Sequence, residues 1–257
     1  TRSLGDGFRV YQNHARIVEA FTDLGFEPLP EILWRKPSNS GTKFLGSGTL
    51  PPNAYVTLEH EYVLVFRKGS ARREFEPGAP DRYEAAYFWE ERNQWFSDVW
   101  DDLRGELQSL PDDELRDRSA AYPFEIPYRL INMYSVYGDT VLDPFWGTGT
   151  TSLAAMVAAR NSIGYELDGE FVAHFNRRVT DVPALAQDVL ETRLADHREF
   201  VATAQADGRE FEYRAENYDF PVTTSRERAL KLYGIEALVE TEGGFRVHHG
   251  PVEPAAE

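Results

Sequence analysis

The stretch of the chain with most chemistry in it is Val141-Leu142-Asp143-Pro144-Phe145-Trp146-Gly147-Thr148-Gly149-Thr150-Thr151. An apolar run ends in a carboxylate, Asp143. Gly147 and Gly149 follow, the residue type a turn needs where backbone must come close to a ligand. Thr150 and Thr151 then open a helix whose first N–H groups have no partner within the helix and favour an anion. Roughly 20 residues beyond the turn, a second apolar run ends in Glu166, placed to accept hydrogen bonds from ribose hydroxyls. Acid, spaced glycines, a helix of small residues and a second acid together predict a site for a nucleoside-type cofactor. The turn lacks the third glycine of the dinucleotide fingerprint, and no Gly-Lys-Ser/Thr follows as in a phosphate loop. Phe145 reads equally as core or as a ligand contact. Asp168 reads as a helix cap.

The elements that must position these residues follow from periodicity. Strands are expected near 139–142 and 162–165, with helices at 151–159 and 171–179 and a helix start at 127–134. This is a strand–glycine turn–helix–strand unit of the doubly wound α/β kind. A long helix is expected over 184–206. Upstream, 8–26 carries a helical pattern through Ile17, Val18, Phe21 and Leu24, Ile32-Leu33-Trp34 is a short strand, and Tyr55 to Phe66 is one or two strands. Residues 70–118 hold Arg72-Arg73, an aromatic cluster (Tyr87, Phe88, Trp89, Trp95, Phe96 and Trp100) and an acidic run, and are read as an insert. The chain is read as one domain over 1–257, with a cofactor-binding core at 119–182 and a flexible tail at 243–257.

Composition narrows the chemistry. The 257 residues contain no cysteine, so no cysteine nucleophile or thiolate metal site exists in them. None of the six histidines stands at a ligand spacing, and no metal is expected. No apolar run reaches the roughly 18 residues of a membrane span, and no basic-then-apolar leader opens the chain, so a cytoplasmic protein is expected. The net charge is −16, the wrong sign for a nucleic-acid binder, and lysine occurs only at 36, 43, 68 and 231. An acidic, lysine-poor surface fits the salt-rich cytoplasm of a halophile, where repulsion between charges is screened within about 3 Å at 1 M.

The motif DPFWGTGTT, followed by RNSIGYELD, resembles the cofactor motif of the amino-methylating DNA methyltransferases, which act on N4 of cytosine or N6 of adenine. Ile32 to Asn39 (ILWRKPSN) and Tyr55 to Lys68 (YVTLEHEYVLVFRK) are similar to that family's strands next to the target base. AAYPFEIPYRLI, from Ala120, resembles the segment written around His-x-Ala-x-Phe-Pro. Arg118 stands at the histidine, Tyr122 at the phenylalanine, and Ala120 and Pro123 match. The base-proximal pieces precede the cofactor loop, which is the permuted, β-type order.

The resemblance implies a Rossmann-like S-adenosylmethionine-dependent methyltransferase fold with an inserted target-recognition region at 70–118. It implies S-adenosyl-L-methionine as cofactor, held by Tyr122, Pro123, Asp143, Phe145, Gly147, Gly149, Thr150, Thr151 and Glu166. Its partners are double-stranded DNA, met by Arg35, Lys36, Arg72 and Arg73, and a restriction endonuclease. N4 of cytosine is favoured over N6 of adenine as the acceptor; C5 chemistry needs a cysteine. The family's catalytic tetrapeptide, a polar residue followed by Pro-Pro and an aromatic, is absent. Leu50-Pro51-Pro52-Asn53 is the sole Pro-Pro pair and is rejected on its flanking residues and its position. A chain starting at Thr1 without that tetrapeptide is read as truncated. The alternative is a non-catalytic subunit that keeps the cofactor fold.

Overall fold

The computed structural model describes residues 2–5, 7–36, 48–56, 59–103 and 122–252. They divide into two compact units, drawn from Thr1–Glu74 with Ser97–Gly105 and from Phe75–Phe96 with Glu106–Glu257, where a single domain was expected.

The first unit opens with a hairpin, β1 (Arg2–Gly5) and β2 (Gly7–Val10), and continues into helix α1 (Asn13–Asp23). β3 (Phe26–Pro28) pairs antiparallel with β6 (Phe66–Lys68). β4 (Ile32–Arg35) lies between β5 (His60–Val63), antiparallel, and β7 (Val99–Trp100), parallel. Period-two alternation explains how β4 builds the core: Ile32 and Trp34 point inward, Leu33 and Arg35 outward. Trp34 lies opposite the fully buried Trp100, and its indole N–H donates to the Leu103 carbonyl at 2.9 Å. Phe21 of α1 packs on Phe26 and Phe66, the expected apolar stripe in a helix shorter than the 8–26 pattern.

In the second unit, helices α2 (Pro80–Glu84) and α3 (Trp89–Trp95) come first, followed after the undescribed 104–121 by α4 (Glu125–Tyr134). Pro127, expected at the start of this helix, falls within its first turn, where a missing N–H costs nothing. Next come β8 (Thr140–Asp143), α5 (Thr150–Val157), β9 (Asn161–Gly164) and α6 (Gly169–Arg178). β8 and β9 pair parallel, Thr140 with Asn161 through Asp143 with Gly164, so the expected strand–turn–helix–strand unit is present. Every residue of α5 is buried, which its small side chains permit. Its Leu153 to Val157 form the core with Tyr128, Ile131, Phe175, Val179, Val182 and Ala186.

Helix α7 (Val182–Ala206) then crosses to a second core of Phe88, Leu190, Leu194, Tyr218, Phe220, Val222, Leu230 and Leu232, next to the short pair β10 (Tyr213–Arg214) and β11 (Pro221–Val222). The chain closes with a hairpin, β12 (Tyr233–Thr241) and β13 (Gly244–Pro251).

Two expectations change here. The flexible tail at 243–257 is instead β-structure as far as Pro251, because Leu238, Phe245 and Val247 pack on the first core; residues 253–257 lie outside the described ones. The stretch read as an insert at 70–118 contributes core: Phe88 is fully buried and Trp95 nearly so. Its α3 is tied to α7 by the buried pair Arg193–Glu91, at 2.5 and 2.8 Å. His197 of α7 reaches Glu90 through Nδ1 at 2.6 Å and the Pro221 carbonyl through Nε2 at 3.0 Å, stacked on Phe88.

Candidate cofactor site

The turn between β8 and α5 is built from both acids the sequence singles out. Asp143, the last residue of β8, accepts the Phe145 N–H on Oδ1 at 3.0 Å and the Thr151 hydroxyl on Oδ2 at 2.6 Å. Glu166, two residues after β9, reaches back across the turn. Its Oε2 accepts the Gly147 N–H at 2.8 Å, and its Oε1 accepts those of Leu167 and Asp168 at 2.8 and 2.9 Å. The carboxylate expected to face ribose thus also binds the two halves of the motif together. A carboxylate offers about four acceptor positions, so Glu166 keeps room for one more donor. Asp168 caps α6 by accepting from Glu170 N, as expected.

The two glycines do different work. Gly147 has φ +52°, and a Cβ there would meet nothing closer than the Phe145 carbonyl at 4.0 Å. This leaves open space over a left-handed backbone at the glycine expected to approach the ligand. Gly149 has φ +74°, but a Cβ there would lie 2.3 Å from Phe175 Cδ2 and 3.0 Å from Trp146 Cζ2. Gly149, also expected at the ligand, must be glycine because two aromatic rings pack on it.

Trp146 is the residue that sequence reasoning missed. Its ring sits on Gly164, where a Cβ would be 2.2 Å away, and against Phe175 at 4.4 Å between centroids. The indole N–H donates to Ser152 Oγ at 2.8 Å, which also accepts from Ser162 at 3.0 Å. Small residues at 149, 152, 162 and 164 make the slot, and their clustering around one tryptophan was the available signal.

The remaining predicted residues gather here in part. Phe145 is 90% exposed, so it is no core residue. Thr150 is buried, with its hydroxyl 3.2 Å from that of Thr148. Pro123 is buried just before α4. The Tyr122 hydroxyl lies 2.7 Å from Thr151 Oγ1, and burial raises its pKa above the ordinary phenol value, with Thr151 opposing and Asp143 adding to the shift.

The four cations expected to meet DNA fall in the first unit. Arg35 faces Glu59 at 3.7 Å and Lys36 faces Glu61 at 2.9 Å; Arg72 and Arg73 are exposed. Exposed pairs of this kind are worth about 0–1 kcal/mol and release readily to a polyanion. Arg118, Ala120, Ser38 and Asn39 lie outside the described residues. Among the described residues no group of three or more His, Asp or Glu side chains could hold a metal, and no helix is long and apolar enough to cross a membrane.

A parallel strand pair with a glycine turn at a helix N-terminus, one acid ending the first strand and another just past the second, defines a nucleoside-cofactor unit of the Rossmann-like class. The chain belongs to the N6/N4 DNA methylase family, whose model matches residues 7–177. It is 54% identical over 234 residues to the Type II methyltransferase M.MthZI of Methanothermobacter thermautotrophicus, covering 91% of this chain and 64% of that protein. It is 55% identical over 168 residues to M.MjaI of Methanocaldococcus jannaschii, covering 65% and 54%. The chain therefore spans less than two thirds of either relative. Among solved structures it is similar to TTHA0409, a candidate DNA modification methylase of Thermus thermophilus complexed with S-adenosyl-L-methionine. That likeness has a TM-score of 0.56 and 31% identity, covering 70% of this chain and 63% of that one.

Proposed function

We propose that the protein transfers a methyl group from S-adenosylmethionine to an exocyclic amine of a base flipped out of double-stranded DNA, N4 of cytosine ahead of N6 of adenine. The observation that carries this reading is the turn at 143–151, with Glu166 closing it and open space over Gly147. The fit is chemical: two carboxylates suit the cofactor's ammonium and ribose hydroxyls, and the start of α5 suits its carboxylate. When bound, S-adenosylmethionine supplies an electrophilic methyl on sulfur. The chain's task is to place the amine in line and to keep water from the exposed Phe145 side of the turn. Tyr122, Pro123, Asp143, Phe145, Gly147, Gly149, Thr150, Thr151 and Glu166 hold the cofactor in this reading, and Arg35, Lys36, Arg72 and Arg73 meet phosphates.

The tetrapeptide that polarises the amine is, in this proposal, supplied by a segment upstream of Thr1, in the permuted β-type order. The outer face of the parallel pair supports that view. Leu142 and Ile163, directly opposed, are 60% and 50% exposed, whereas parallel sheets are ordinarily covered on both faces. Residues 70–118, of which 104–118 lie outside the described residues, remain the proposed target-recognition region. The Type II names of the relatives suggest a cytoplasmic restriction–modification system with a cognate endonuclease, and the charge suggests a halophilic source.

The test is tritiated methyl transfer to genomic DNA, comparing this chain with one extended upstream, followed by mass spectrometry of the digested nucleosides. The extended chain is expected to be at least about a hundredfold faster, the scale of one lost transition-state donor, and to yield N4-methylcytosine. N6-methyladenine would correct the acceptor. Full activity in the short chain would mean that another polar residue within it, such as Ser38 or Asn39, polarises the amine, and would refute the upstream segment.

A further inference from the structure

One hydroxyl relay runs into the cofactor turn from outside it. Tyr122, on the segment leading to α4, lies 2.7 Å from Thr151 Oγ1, and Thr151 donates to Asp143 Oδ2 at 2.6 Å. The direction of the relay follows. Thr151 has a single hydroxyl proton and spends it on the carboxylate, so the Tyr122 O–H must donate to Thr151. The second oxygen of Asp143 accepts from Phe145 N at 3.0 Å, so the carboxylate is gripped from both sides and cannot turn. These bonds occupy two of its roughly four acceptor positions. Glu166 has three occupied by Gly147, Leu167 and Asp168. Asp143 is therefore the acid with more capacity for a cation. A phenylalanine at 122, as in the family pattern given above, would lack this hydroxyl.

We propose that Tyr122 is a positioning residue: through Thr151, its hydroxyl holds the Asp143 carboxylate in the attitude that receives the ammonium of the cofactor's amino-acid end. The inference rests on S-adenosylmethionine being the ligand of this turn. Tyr122 acts at one end of that ligand, and the adenosine end owes it nothing.

The experiment uses the 257-residue chain and four variants: Tyr122→Phe, Thr151→Val, Thr151→Ser and the double variant Tyr122→Phe/Thr151→Val. Each is titrated calorimetrically with S-adenosylmethionine and with 5′-methylthioadenosine, which keeps the adenosine and sulfur but has no ammonium. Tyr122→Phe and Thr151→Val should each weaken S-adenosylmethionine binding about three- to tenfold, the scale of one hydrogen bond. The double variant should lose little more than the worse single one, since the two bonds act in series. Thr151→Ser, which keeps the hydroxyl, should bind S-adenosylmethionine better than Thr151→Val, and Tyr122→Phe, Thr151→Val and the double variant should each lose less affinity for 5′-methylthioadenosine than for S-adenosylmethionine. Equal losses for both ligands would mean that the variants merely disturb the turn, and would overturn the proposal. Unchanged S-adenosylmethionine affinity in Tyr122→Phe would overturn it too. A parent chain that binds neither ligand would overturn the cofactor reading first and the relay with it.

Discussion

Replacing Gly147 and Gly149 by alanine, one at a time, should separate the face of the turn that packs from the face that binds. At Gly149 the new methyl would sit 2.3 Å from Phe175 and 3.0 Å from Trp146. Neither ring can retreat, since Phe175 is 4% exposed and the far side of Trp146 already lies on Gly164. A left-handed alanine costs about 1–2 kcal/mol, and an overpacked core about 1–3 more. Gly149→Ala should therefore lose about 2–5 kcal/mol, a large share of the roughly 5–15 that holds a domain together. At Gly147 the nearest atom would be 4.0 Å away, so only the backbone term of about 1–2 kcal/mol applies. The methyl would instead stand where the ligand approaches, and S-adenosylmethionine binding should fall more than tenfold, about 1.4 kcal/mol. Urea unfolding followed by tryptophan fluorescence gives the first quantity, and calorimetric titration the second. Wild-type affinity in Gly147→Ala would remove the ligand from that side of the turn. Equal stability of the two variants would refute the packing argument.

Other expectations follow from single contacts. Glu166→Ala leaves the Gly147, Leu167 and Asp168 N–H groups without their acceptor, so it should destabilise the ligand-free protein by about 1–3 kcal/mol in urea as well as weaken binding. Glu91→Gln keeps the shape of α3 but strands the buried Arg193 charge, and unfolding measurements should show a loss of about 3–5 kcal/mol. Ending the chain after Glu242 strips Phe245 and Val247 from the core. Limited proteolysis should then cut the second unit at protease concentrations that leave the full chain intact; equal resistance would restore the tail as a dispensable end. The melting temperature should climb between dilute buffer and molar KCl as repulsion within a chain of charge −16 is screened, and a flat or falling curve would speak against a halophilic source.

What the sequence makes legible is what short range decides. Strand, turn and helix at 140–178 follow from periodicity, glycine and capping chemistry, and the structure places them within two residues of the expected bounds. Contacts made over long separations left no such mark. Arg193 and Glu91 are 102 residues apart, His197 and Glu90 are 107, and neither pair forms a motif. The charged run at 70–96 therefore looked like an appended insert although Phe88 and Trp95 are core. The final hairpin was hidden differently. Glu236, Glu240, Glu242, Arg246 and His248 dilute its alternation, while the telling residue is Gly243, at φ +85° in a two-residue connection between paired Thr241 and Gly244.

The same limit explains why the motif residues were recognised but their tasks were not. Glycine, threonine and carboxylate at fixed spacing announce that backbone must turn tightly and meet something polar. They do not say which glycine faces the ligand and which faces the protein. Trp146 and Phe175 fill the side of the turn at Gly149 and leave open space over Gly147, which in the proposed reading is the ligand's side. Glu166 shows the same double demand: the three N–H bonds that fix its carboxylate leave it about one further acceptor position. A residue held this way reaches a ligand without the entropic cost of ordering a free side chain. In the proposed reading, rigidity of the turn and affinity for the cofactor draw on the same hydrogen bonds, so removing the carboxylate of Asp143 or Glu166 should lower both together, whereas substitutions at Gly147 should lower chiefly the second.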